Sequence, residues 1–265
     1  MDKKKPHLSH TQIDLYSKCG EAYRRRYIEK HVIPPGVAAV RGTSVHVGAE
    51  ANYDQKVHTR EDLKAGWVAE IAADAFDKTV KYEDVWLNPE EVAAGKKKAL
   101  GEAKDMTVRL AKVFTEKVAP KYQPAHVEME HTIPIPAASH DLKVVLDLVT
   151  EDGLVQDLKT RTRRSSQEDV DRSTQFTLYD MAYRHKFGKA PEGIVVDELV
   201  DGKEPGVNTI PTKRGLEDFG AVVNRMNAVL KGVNAGVFTP ATPGGWWCTP
   251  KWCGYWATCP YVSKR

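Results

Sequence analysis

The sequence predicts one α/β core wrapped by an N-terminal helical segment, and three observations carry that expectation. Short runs rich in β-branched residues at 126–133, 144–149, 156–159 and 194–199 read as strands bounded by turn residues, whereas the charged, Ala-rich stretches around them read as helices. The four cysteines lie near the two ends of the chain, Cys19 on one side and Cys248, Cys253 and Cys259 on the other, which brings the ends together if they share a ligand. The 265 residues suffice for one large or two small domains, and no repeat or low-complexity linker divides them.

In chain order, Ser9-His10-Thr11-Gln12 has the form of a capping box, and Ile13, Tyr16 and Tyr23 fit a helix carrying Cys19 that ends before Pro34-Pro35-Gly36. Residues 37–52 follow as a helix with Gly42, His46 and Glu50, four apart, on one face. Residues 61–79 and 89–118 read as two further helices, the second bounded by Pro120. Alternation over 126–133 marks a strand. The runs Val144-Val145-Leu146-Asp147-Leu148-Val149 and Gln156-Asp157-Leu158-Lys159 flank the turn residues Asp152-Gly153 and form a hairpin. A helix over 167–187 stopped by Gly188, a strand over 194–199 and a helix over 216–233 complete the reading.

The hairpin carries the chemistry. Side chains alternate across a strand, so Asp157 and Lys159 share a face, while Asp147 interrupts an apolar run where a lone carboxylate is costly. Carboxylates about 4 Å apart repel by roughly 4 kcal/mol at an effective dielectric of ~20, and a divalent metal ion is the partner that lets both stay charged. A structural ion pair from Lys159 to either aspartate is the alternative.

The net charge of +3 is too small to announce a nucleic-acid partner. Basic residues do cluster, at Lys3 to Lys5, Arg24 to Arg26, Lys96 to Lys98, and Arg161, Arg163 and Arg164, of which only the last group lies beside the hairpin and reads as DNA-binding. The charged start lacks the apolar stretch of a secretory signal, and no run approaches the ~18 apolar residues of a membrane span, so a cytoplasmic protein without a membrane partner is expected. In a reducing compartment four cysteines argue for a metal site, either tetrahedral zinc or a cubane iron-sulfur cluster. The spacing C-x4-C-x5-C lacks the C-x2-C knuckle of most zinc ribbons, which favours the cluster, with unconnected free thiols as the alternative. Trp246, Trp247, Trp252, Tyr255 and Trp256 crowd these cysteines, to shield the cluster or to stack on bases of single-stranded DNA.

Taken in order, these residues resemble the RecB-like branch of the PD-(D/E)XK nucleases, particularly its iron-sulfur members, which include the small CRISPR-associated exonucleases and phage-encoded relatives. Ser9-x-Thr11-x4-Tyr16-x2-Cys19 is similar to the family's N-terminal cluster segment, and Gly42-x3-His46 to its metal-binding helix. Glu130 falls where a strand carboxylate is expected, Asp147 and Asp157-x-Lys159 resemble the signature itself, Gln175-x3-Tyr179 the helix motif, and the last three cysteines the C-terminal cluster segment. Gly20 stands where many relatives have proline, and C-x4-C replaces the usual C-x2-C.

The resemblance implies a restriction-endonuclease-like mixed β-sheet flanked by helices, in one domain over 1–265. The nuclease core would span about 37–235, and a four-cysteine cluster lobe would join 1–36 to 236–265. It further implies that His46, Asp147, Asp157 and the main-chain carbonyl of Leu158 hold Mg²⁺ or Mn²⁺, and that Lys159 positions the attacking water. Glu130 would serve a second metal or orient water, and Gln175 and Tyr179 would reach the phosphate or Lys159. Cys19, Cys248, Cys253 and Cys259 would hold a 4Fe-4S cluster. The activity so implied is exonucleolytic hydrolysis of DNA, at single strands or DNA ends, in recombination, repair or processing. The rival is a catalytically idle or zinc-stapled adaptor within a recombination or CRISPR-adaptation complex.

Overall fold

Alternating apolar segments pair into a mixed six-stranded sheet, and the helical patterns cover both of its faces. The computed structural model describes residues 5–135, 138–242 and 244–264; Lys3 and Lys4 of the N-terminal basic run lie outside them. In chain order come β1 (His7–Leu8), α1 (His10–Lys18), α2 (Gly20–Tyr23), a π-helical turn (Arg24–Ile28), α3 (Val37–Thr59), α4 (Ala65–Tyr82), α5 (Pro89–Ala94), α6 (Lys96–Lys117), β2 (Pro124–Ile133), β3 (Asp141–Thr150), β4 (Leu154–Arg161), α7 (Gln167–Asp171), α8 (Thr174–Phe187), β5 (Gly193–Val200), β6 (Gly206–Thr212) and α9 (Leu216–Asn234). Among the described residues no helix is long and apolar enough to cross a membrane.

β2, β3 and β4 run antiparallel, α7 and α8 cross over to the parallel strand β5, and β6 closes the edge antiparallel to β5. One core joins α1, α8 and α9 to the sheet, and a second joins α3, α4 and α6 to its other face. The edge of β3 that faces β4 is shared. β4 pairs with it only at Leu148–Gln156 and Val149–Val155, and β1 pairs in parallel at Asp141 and Leu142. Between these two contacts the sheet forks. Alternation along β3 also slips there, since Leu142, Val144, Leu146 and Val149 enter the first core whereas Leu148 enters the second.

Three predicted helices are broken, each for a local reason. The segment around Cys19 turns extended (φ −161°, ψ 101°), and its thiol caps the next turn by accepting from the Ala22 N–H. Gly95, at φ +91°, divides α5 from α6. The 167–187 helix parts at Arg172-Ser173, where the buried Arg214 guanidinium takes the carbonyls of Val170 and Ser173. β1 is too short to give a periodic signal, and β6 carries Pro211 on the sheet edge, so neither was foreseen. β1 and α1, grouped with the cysteine lobe on sequence grounds, contribute Leu8 and Ile13 to the main core.

The two ends of the chain do meet. The Tyr16 hydroxyl donates to the Val237 carbonyl at 2.5 Å, Tyr255 to the His31 carbonyl at 2.6 Å, and Arg25 to the Thr258 hydroxyl at 2.8 Å. Gly20 is explained by this junction. Its N–H donates to the Thr239 carbonyl at 2.7 Å, which a proline could not do, and a Cβ there would lie 2.7 Å from the Thr239 nitrogen. Gly20→Ala therefore forces two backbones apart, and urea unfolding should show a loss of about 1–3 kcal/mol, with an unchanged midpoint contradicting this account of the junction.

Candidate active site

Asp157 lies at the centre of the fork, fully buried on β4. Its Oδ1 accepts from the Lys159 ammonium at 2.7 Å, the Gln175 amide at 3.0 Å and the Tyr179 hydroxyl at 3.0 Å. Its Oδ2 is buried and has no hydrogen-bond partner. Burial pushes this carboxyl above the usual range, the Lys159 charge pulls it back, and the Asp147 charge pushes it up again. An unsatisfied buried acceptor costs about 1–3 kcal/mol, more when charged. Burial works against the Lys159 ammonium too, but Asp157 and Asp147 outweigh it and keep the ammonium above its ordinary value.

Asp147 reaches the same space from β3. Where the ladder opens, its Oδ2 accepts from the Leu158 N–H at 3.0 Å, and the Tyr179 hydroxyl lies 3.4 Å from its Oδ1. The side chain of Leu158 itself packs in the second core. His46 approaches from the opposite layer, its Nδ1 3.7 Å from Asp147 Oδ2. Gly42, one turn earlier on α3, permits this approach, because a Cβ there would meet the Thr160 hydroxyl at 3.3 Å. On α8, Gln175 and Tyr179 are one turn apart, and the amide also donates to the Tyr179 hydroxyl at 2.7 Å.

The β2 carboxylate that the structure brings beside His46 and Asp147 is Glu128 rather than the expected Glu130. Glu130 is half-exposed and pairs with Lys143 at 2.6 Å. Glu128 holds φ +45°, a strained conformation for a side chain other than glycine, and offers a carboxylate oxygen within 4.8 Å of ligand atoms on His46 and Asp147. Burial, with the charges of Asp147 and Glu50 behind it, pushes its pKa up to about 7. That set of one imidazole and two carboxylates, which does not include Asp157, suits a hard divalent cation. Alternation put Glu128 and Glu130 on one face, so sequence could not choose between them. His10 was likewise read only as part of a cap. It lies at the start of α1, within the fields of Lys159 and Asp147, and burial lowers its pKa.

Arg161, Arg163 and Arg164 lead into the loop between β4 and α7. Arg161 contacts Glu198 at 3.3 Å. The buried Glu198 carboxylate also accepts from the Ser165 N–H at 2.9 Å and the Asn208 amide at 2.9 Å, so it anchors this basic loop.

The four cysteines line one small cavity, but among the described residues no three thiols come within 4.8 Å of one another. Burial pushes the thiols of Cys248 and Cys253 up, and the neighbouring sulfurs add to it. The aromatic residues divide: Tyr255 is buried, whereas Trp246 and Trp252 are 63% and 56% exposed and do not serve as cover.

A family model described as the PD-(D/E)XK nuclease superfamily matches residues 7–260. Among solved structures, a protein of Eubacterium rectale named provisionally as an exonuclease is similar at 13% identity and a TM-score of 0.60, over 98% of this chain and 91% of that one. SSO0001 is more distant, at 12% identity and a TM-score of 0.44, over 98% and 88% of the two chains. No curated protein matches.

Two outcomes follow from the geometry. Glu128→Gln should weaken Mn²⁺ binding, measured calorimetrically, by roughly tenfold or more, while Glu130→Gln leaves it near the parent; the reverse order would restore Glu130 to the site. For Glu198, burial raises the carboxyl but the hydrogen bonds from Ser165 and Asn208 and the Arg161 charge win and depress it below 4.5. A depressed folded value means that its contribution is complete above pH 4.5 and is lost as pH falls through the folded value. The protection factors for hydrogen exchange at 161–166, which correct for the slower intrinsic exchange in acid, should therefore fall below that pH in the parent and be low throughout in Glu198→Gln.

Proposed function

The chain belongs to the PD-(D/E)XK nuclease superfamily, and from that premise we propose that it is a divalent-metal-dependent DNA exonuclease of the RecB-like, iron-sulfur branch, acting in the cytoplasm in DNA recombination, repair or processing. The observation that carries the reading is the buried Asp157 carboxylate, with one oxygen held by Lys159, Gln175 and Tyr179 and the other left without a partner. An idle adaptor has no need to keep a charged, half-satisfied carboxylate fully buried.

Asp147, Asp157, His46 and Glu128 would hold Mg²⁺ or Mn²⁺, with the Leu158 carbonyl as a further donor. The cation would supply Lewis-acid stabilisation of charge on the phosphate oxygens. The chain's own groups do the rest. Lys159, fixed by Asp157, donates to the attacking water and to the phosphate, orienting one and neutralising charge that grows on the other. Tyr179 and Gln175 hold Asp157 in place. Arg161, Arg163 and Arg164 carry the DNA backbone past the site.

Four thiols around one cavity support a 4Fe-4S cluster held by Cys19, Cys248, Cys253 and Cys259. Tetrahedral zinc, with Zn–S bonds of about 2.3 Å, would ask for tighter thiols than the observed spread, in which no three lie within 4.8 Å. The cluster's role is mechanical, pinning the termini beside the nuclease core.

Asp157→Asn and Lys159→Ala should each lower Mg²⁺- or Mn²⁺-dependent hydrolysis of end-labelled linear DNA by roughly 100-fold or more, with closed circles resistant in the parent. Asp157→Asn deprives the buried Lys159 ammonium of its nearest counter-charge and should melt lower than the parent in metal-free buffer, so hydrolysis is compared below both melting temperatures. Undiminished hydrolysis in either variant would displace the catalytic site. Anaerobically purified protein should show the broad absorption near roughly 400 nm of an iron-sulfur chromophore; a colourless protein with stoichiometric zinc would overturn the cluster.

A further inference from the structure

The most apolar large cavity lies outside the catalytic fork, a groove of about 940 Å³ between the N-terminal helices, the start of α3 and the C-terminal cysteine segment. One wall is the Thr11, Leu15 and Lys18 face of α1, continued by Arg26. Thr11 contacts His10 at 3.2 Å, and His10 lies within the fields of Lys159 and Asp147, so this wall begins near the catalytic fork. Trp86, Trp247 and Trp252 line the far part. Trp246 stands edge-on to Trp247 and to Trp252, both at 5.7 Å, and braces the two rings. The acidic residues Glu83, Asp84 and Glu91 also line the groove. Lys251 ties the walls together by pairing with Glu90 at 2.7 Å, and its ammonium sits 5.8 Å from the Trp252 ring.

We propose that this groove is a base-stacking tract that holds several nucleotides of one DNA strand beyond the catalytic site, with phosphates along the Lys18–Arg26 wall and bases on Trp247 and Trp252. The proposal rests on the nuclease reading for its choice of DNA. An exposed indole with a cationic fringe is recognised by the face of a base, and only an unpaired strand offers that face along its length. A duplex buries its base faces and offers none to the indoles. The tract fixes the register of the strand relative to the scissile bond and retains the DNA between cuts.

The test uses the full chain carrying Asp157→Asn, so that DNA is bound without being cut. Its affinity for a fluorescent oligo(dT) of roughly 20 nucleotides, longer than the ~4–16 nucleotides such sites cover, is compared with that for a blunt duplex. Adding Trp252→Ala should weaken oligo(dT) binding roughly 5- to 100-fold, Trp252→Phe should restore most of it, and duplex binding should change little. Lys18→Ala should reduce the slope of log K against log salt by about 0.7. Unchanged affinity in Trp252→Ala, an equal loss on the duplex, or an unchanged salt slope in Lys18→Ala overturns the tract. Tryptophan-dependent binding with no metal-dependent cleavage by the wild-type chain would overturn the nuclease reading and leave the tract standing.

Discussion

A single buried carboxylate organises this molecule. Asp157 is wholly removed from water on β4, and a charge in that position is tolerated only when its neighbours replace the lost hydration. Three donors crowd one of its oxygens, from the same strand and from α8, and none serves the other. The asymmetry leaves the second oxygen unsatisfied, while His46, Glu128 and Asp147 bring ligand atoms within 4.8 Å of one another.

The fold creates that opening by failing to continue its own ladder. β3 and β4 share two pairs and then diverge, and the Asp147 side chain takes the Leu158 N–H that a neighbouring strand would otherwise have taken. The slip in β3 and the positive φ of Glu128 on β2 occur at the same level of the sheet, so two acidic groups turn into the gap together. Layers from both faces then close on it. α3 comes near because Gly42 offers no Cβ to Thr160, and α8 is set by the Arg214 clamp at its start. Strain at Glu128, of the order of 1–3 kcal/mol, is the kind that persists only where surrounding structure dictates it.

Much of this was legible in the sequence, for identifiable reasons. Asp147, Asp157 and Lys159 stood out because charge in a β-branched run is conspicuous, whereas His46, Gln175 and Tyr179 were singled out by the family resemblance, spacing adding only that Gln175 and Tyr179 share a helix face. Glu128 was not legible. Alternation gave it the same standing as Glu130, and only the irregular backbone at φ +45° separates them. His10 was hidden because its place depends on a two-residue strand pairing with a segment more than a hundred residues away. The exposure of Trp246 and Trp252 was equally out of reach, since composition shows aromatic residues near cysteines but not which rings the chain leaves uncovered.

The central claim is that the orphaned oxygen of Asp157 exists to bind a cation. Anomalous diffraction from crystals equilibrated with Mn²⁺ tests it most directly. The account predicts one strong manganese peak in coordinating contact with Asp157 Oδ2, Asp147 and His46, with the Lys159 ammonium still on Asp157 Oδ1. A peak seated elsewhere, or a fork that stays empty at saturating Mn²⁺ with Oδ2 satisfied by some protein donor, would contradict it.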